Sequence, residues 1–176
     1  MKISYFAAVA SLLLCHVVSQ AADHRHVHDV AKLDIAVEDK KISIQLDSPL
    51  GNLLGFERAP RTQAEHKLAE AVIGKLKAAS PMFMIDPAAQ CVLSHVDLSS
   101  AALKLGTHEH TEKNQDHADI DGSFEFDCVD AAKAAYIDVG LFDFARLQTL
   151  EVQVATLSGQ FKRDLKRPAV RITLGK

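Results

Sequence analysis

Apolar and polar residues alternate in two stretches near the start of the chain. Ala31, Leu33, Ile35 and Val37 fall on one side, with Lys32 and Asp34 on the other. After Glu38-Asp39-Lys40 the alternation resumes with Ile42, Ile44 and Leu46, and ends at Asp47-Ser48-Pro49. Two period-two runs around a short polar turn predict a hairpin with one buried face. His24, His26 and His28 lie on the even-numbered, polar side of the first run. If the strand extends back that far, all three project from one side.

Asn52 to Pro60 is apolar but aperiodic and reads as an irregular connector. Thr62-Gln63-Ala64-Glu65 has capping-box spacing and opens a helix. Leu68, Val72 and Leu76 make its apolar stripe, with Ala69 and Ile73 beside them, and Ser80-Pro81 stops it. Cys91 to Leu98 reads as a strand, and residues 99–119 are polar and unpatterned. Alternation returns over Ser123 to Cys128, with Phe124 and Phe126 on one face. Tyr136 to Leu147 fits a strand or a short helix. Leu150, Val152 and Val154 lead to a Ser158-Gly159 turn, followed by Phe161 to Leu165 and then Val170, Ile172 and Leu174. The fold class predicted is α+β: a mostly antiparallel β-sheet with an N-terminal hairpin, one clear amphipathic helix and further C-terminal strands.

The N-terminus changes the picture of where this domain works. Met1-Lys2 gives a positive start, Ile3 to Val18 is mainly apolar, and Ser19-Gln20-Ala21 is a small-x-small cleavage site. That is the layout of a secretory signal peptide. Leu14, preceding Cys15, disfavours a lipid anchor. We therefore expect a signal at 1–21, an exported and periplasmic protein, and a single domain over 22–176 with a polar, histidine-containing loop at about 99–119. No later segment is apolar for long enough to span a membrane.

Export permits disulfides, and the mature chain keeps two cysteines, Cys91 and Cys128. An even pair without CxxC spacing reads as a structural bridge, worth about 4 kcal/mol in the chain-entropy model. Two thiolates sharing a metal are the alternative. As a bridge, the pair would tether both ends of the polar loop to the folded body. With 176 residues, 48% of them apolar, the chain is long enough for a real core. A net charge of −3 with mixed signs leaves no electrostatic footprint for nucleic acid.

The candidate chemistry lies in the histidines. Of nine, six fall in two tracts: His24, His26 and His28, then His108, His110 and His117. Residues i and i+2 of a strand point the same way about 7 Å apart, so a His-x-His pair supplies half of a tetrahedral zinc site. Glu109, Asp116 and Asp119 are nearby carboxylates that could complete it. One shared site and two weaker sites are both open, as is the plainer reading of a solvated tail and loop. His66, in the first helical turn, reads as solvent-facing, and His95 as a packed or hydrogen-bonded strand residue. Cleavage after Ala21 would leave Ala22-Asp23-His24, whose four nitrogens suit planar Cu(II) or Ni(II) instead. His-Glu-x-x-His, Gly-x-Ser-x-Gly and phosphate-cradling glycine loops are missing, so the chain reads as a binding protein and not an enzyme.

Several blocks together resemble the ZrgA family of exported proteobacterial proteins, over almost the whole mature chain. They are His26-Val27-His28 with Ala31-x-Leu33-x-Ile35-Ala36, then Asn52-Leu53-Leu54-Gly55-Phe56-Glu57-x-Ala59-Pro60, the most specific. Phe124-x-Phe126-x-Cys128, Leu141-Phe142, and Leu150 to Val154 before Gly159-Gln160 complete the set. The resemblance implies a periplasmic zinc-binding protein that captures or buffers zinc for uptake, with an inner-membrane importer or its binding protein as partner. It matches His26 and His28 to an N-terminal ligand pair, and His108, His110 and His117 to a histidine-rich loop. This loop is poorer in histidine than its relatives' loops. Arg58 stands where histidine is frequent, and Asp29 where glycine is frequent.

Overall fold

A computed structural model describes residues 28–106 and 118–175. The predicted hairpin forms from β1 (Val30–Val37) and β2 (Lys41–Pro49), with Leu33 opposite Leu46 and Ile35 opposite Ile44. Chain order continues through α1 (Leu50–Leu54), α2 (Gln63–Ala78), β3 (Phe83–Ile85), β4 (Cys91–Ser99) and β5 (Asp119–Cys128). β6 (Tyr136–Val139), β7 (Thr149–Thr156), β8 (Gly159–Lys166) and β9 (Arg171–Thr173) follow. Six strands form one sheet in the order β4-β5-β2-β1-β7-β8, and β3-β6-β9 form a second. All pairings are antiparallel except β1 with β7, which run parallel in the interior of the large sheet. The α+β class, dominated by antiparallel strands with one long helix and C-terminal strands, is the one predicted.

Period-two patterning decides which face of the large sheet is buried. Leu33, Ile35, Ile42, Ile44, Phe124, Leu150, Val152 and Val154 are buried on one face, each worth roughly 1.5–3 kcal/mol when fully removed from water. The alternate face is polar, with Lys41 bonded to Glu125 at 2.8 Å and Gln45 to Ser123 at 2.8 Å. The small sheet packs on the buried face, where the rings of Phe83 and Phe124 lie 4.8 Å apart.

Three local readings need correction, and an open one is settled. Residues 50–54 are helical where an irregular connector was expected; Gly55 ends the turn at φ 84°, a left-handed conformation natural to glycine. The α2 stripe is Ala69, Val72 and Leu76, whereas Leu68 is exposed. Residues 136–147 contain both a strand and a short 3-10 turn at Leu141–Asp143. His95 is exposed: a bulge between Leu93 and His95 shifts the register and sets it opposite Glu125 on the polar face. The capping box of α2 forms as expected, with the Glu65 amide donating to Thr62 and the Glu65 side chain accepting from the Thr62 amide.

Cys91 and Cys128 are joined, opposite one another on β4 and β5. Their position changes the role assigned to the bridge. It closes the base of the β4–β5 hairpin, and the polar loop leaves from the tip, about 25 Å away at the rise of a strand. The loop's two roots are held by strand pairing, not by the disulfide.

Candidate functional site

The site begins where β1 begins. The strand does not extend back through the first histidine tract at His28, because Asp29 turns the chain with φ 69°. Left-handed backbone disfavours most side chains and is tolerated best by Gly, then Asn and Asp. An aspartate in a place suited to glycine is thus explained by backbone geometry. His28 therefore lies in the turn before β1 and not on the strand itself, while His24 and His26 fall outside the described residues.

That turn is held from two directions. Asn52, 3% exposed on α1, accepts from the Asp29 amide at 3.0 Å and donates to the Val30 carbonyl at 2.8 Å. Its amide nitrogen also lies 3.3 Å from Ser48 Oγ. The Asp29 carbonyl accepts from the amides of Gln148 at 2.9 Å and Thr149 at 3.0 Å. His28 is therefore solvent-exposed on a backbone fixed to the core. Such an arrangement gives an imidazole access to an ion without a large ordering cost.

Beside it, His28 Nδ1 lies 3.1 Å from Glu57 Oε1; the two side chains are 82% and 27% exposed. Glu57 follows Gly55 and Phe56 out of α1, and its carboxylate rests over Gly51. A Cβ on Gly51 would come within 2.7 Å of Glu57 Oε1. The next residue, Arg58, points its charge elsewhere: it stacks over Phe56 at 4.8 Å and binds Glu65 through both guanidinium nitrogens, at 3.0 and 2.7 Å. That pairing, with the Arg61 and Thr62 amides, holds the Glu65 carboxyl down to about 2. Glu57 escaped the sequence reading as a functional residue. It carries no periodic signal, and only its place in the Asn52–Glu57 block pointed to it.

Both roots of the polar loop reach the same end of the sheet. Lys32 faces Asp47, Pro49 faces Asp119, and Ser99 faces Asp121. The starts of β1 and β5 and the ends of β2 and β4 are thus aligned. β2 alone separates β1 from β5, which puts them about 10 Å apart. Ser100 Oγ donates to the Asp119 carbonyl at 2.6 Å, and the Leu50 amide donates to the Ala118 carbonyl at 2.8 Å. The exit root is thereby fastened to α1, one residue before Gly51.

Of the six predicted metal ligands, His28 is the one within the described residues. His24, His26, His108, His110 and His117 lie outside them, as do Glu109 and Asp116. Asp119 is the first residue of β5. The described residues alone contain no cluster of three or more ligating side chains. They do supply one accessible imidazole with a carboxylate on its other nitrogen, a donor arrangement that fits zinc. His66 is exposed on α2, as expected.

The model of the ZrgA family zinc uptake proteins matches residues 25–174. The chain belongs to the ZrgA family. That membership assigns it a role in zinc uptake. No curated protein matches the chain. In this ZrgA protein, the described residues include no helix long and apolar enough to cross a membrane.

Proposed function

We propose that this protein is a periplasmic zinc-binding accessory protein that captures or buffers zinc and passes it to an inner-membrane importer or its binding protein. One observation carries the reading: the fold fixes His28 and both roots of the histidine-bearing loop at one end of the same sheet. Half of segment 107–117 spans about 18 Å when extended, more than the roughly 10 Å between β1 and β5. His26 is two residues from His28, and His117 immediately precedes the anchored Ala118. A shared tetrahedral site drawn from His26, His28, His108, His110 and His117 is therefore within covalent reach. His24 and the carboxylates Glu109, Asp116 and Asp119 are auxiliary donors.

Zinc is cargo in this scheme. Ordering the loop around the ion costs conformational entropy, which favours moderate affinity and ready release. The signal-like N-terminus and the Cys91–Cys128 disulfide, a bond favoured in oxidising compartments, support the periplasmic assignment. The donor set serves binding and offers no nucleophile paired with a base, so the protein acts by holding the ion.

Zinc calorimetry on the mature protein tests this reading, repeated with His28→Ala and with residues 108–117 replaced by a short Gly-Ser linker. Each change should abolish or severely weaken the same binding event. Undiminished stoichiometry and affinity in both would overturn the shared site. Preference for Cu(II) in competition, lost on blocking the N-terminal amine, would support a site at Ala22-Asp23-His24 instead. Unchanged melting temperature with any metal would leave a metal-free interaction module.

A further inference from the structure

We infer that Glu57 is the positioning carboxylate for His28: it accepts the Nδ1 proton and leaves Nε2 as the atom offered to zinc. The inference rests on the zinc-binding reading above and adds a residue that reading does not need. Four features converge on it. The Nδ1–Oε1 separation of 3.1 Å is within hydrogen-bonding range, and His28 is otherwise exposed. A neutral imidazole facing a carboxylate through Nδ1 must carry its proton there, which frees the Nε2 lone pair. Glu57 is seated by the missing Cβ of Gly51 and by the left-handed turn at Gly55. Its neighbour Arg58 is committed to Glu65 and does not neutralise it.

The physical effect is twofold. Holding the ring in one tautomer removes the alternative in which the proton occupies the ligating nitrogen. The negative charge behind the ring also makes the imidazole a stronger donor to a cation. Exposed isolated histidine favours neither arrangement so strongly. Through Gly51, the carboxylate also lies one residue from Leu50, the anchor of the loop's exit root. The same short helix thus seats the carboxylate and fastens the loop.

The test uses the mature protein labelled with 15N-histidine, and long-range proton–nitrogen spectra that assign each ring nitrogen. Zinc-free protein at neutral pH should show His28 protonated at Nδ1, and added zinc should shift Nε2. Glu57→Ala should move the zinc-free proton toward Nε2 and weaken zinc binding by about 10- to 100-fold. Gly51→Ala keeps the carboxylate but displaces it, touching only the end of a flexible side chain, and should act in the same direction with the fold intact. Glu57→Gln retains an acceptor without charge and should preserve the tautomer while weakening the ion.

Zinc on Nδ1, or a tautomer and affinity indifferent to Glu57→Ala and Gly51→Ala, would overturn the inference. Weakened zinc binding with an unaltered zinc-free tautomer would make Glu57 a direct ligand, which also overturns it. Zinc heat without any His28 shift would remove this inference and leave zinc binding elsewhere in place. Absence of any zinc heat would remove the functional reading along with it.

Discussion

At one end of the six-stranded sheet, Cys91 and Cys128 are covalently joined across β4 and β5, and the β1–β2 turn is drawn in by a 2.8 Å bond from the Cys128 amide to the Lys40 carbonyl. At the other end no covalent link exists among the described residues. There, Asn52 clamps the start of β1, Asp29 turns it, and Leu50 fastens the returning loop. The first end is built for permanence. The second holds backbone firmly but leaves side chains exposed, which suits reversible capture of an ion. On the proposed reading, stability and binding are thereby separated by the length of a strand.

That separation can be broken in a definite order. Replacing both cysteines by alanine should have the largest effect on stability, about 4 kcal/mol in the loop-entropy model, read from denaturant midpoints. Zinc affinity should stay the same, because the bridge is about 25 Å from the loop. A large loss of affinity would show that the two ends are coupled after all.

Next comes Asn52→Leu. It removes the Asn52 partner of the Asp29 amide and the Val30 carbonyl, two part-buried hydrogen bonds, for a cost of about 1–3 kcal/mol. This change should also weaken zinc binding by at least about tenfold in calorimetry, since His28 loses its fixed backbone. Equal losses of zinc affinity from the Asn52 and cysteine changes would erase the distinction between the two ends.

Asp29→Val should cost about 1–2 kcal/mol through left-handed strain, whereas Asp29→Gly should be neutral or stabilising in the same unfolding assay. A neutral valine would mean that the turn relaxes freely, and the site end is looser than described.

The smallest effect sharpens the comparison through pH. Imidazole must be neutral to ligate, so zinc affinity should fall as the pH drops through about 6.5. Glu65 behaves differently. Its folded-state carboxyl is lowered to about 2 from 4.5 by Arg58 and the Arg61 amide, so its contribution to stability is present above about 4.5. It is lost as the pH falls from there toward 2. Zinc should therefore leave the protein well before acid unfolds it. Full zinc binding at pH about 5, measured by competition with a chelating dye, would count against histidine ligation.

The alternating runs 31–37 and 42–46 predicted both strands, their shared buried face and the hairpin, because burial of one sheet face imposes period two on any sequence that folds this way. The α2 start was equally legible, since Thr62 and Glu65 satisfy each other within four residues. β3 was not: Phe83–Ile85 is too short to show a period. The parallel pairing of β1 with β7 escaped for another reason. Alternation tells a strand which side faces inward and says nothing about which strand lies beside it.

The candidate site divides along the same line. Residue chemistry alone marked His28 and the loop histidines as ligand types, and Cys91 with Cys128 as a bridge. Only the tertiary structure showed that the bridge sits at the end away from the loop, that Asp29 breaks the strand after His28, and that Glu57 stands behind the imidazole. Local patterns are written by interactions within a few residues, so sequence reveals them. Contacts such as Asn52 with Asp29, Glu57 with His28, and Leu50 with Ala118 join residues far apart along the chain, and only packing of the whole sheet decides them.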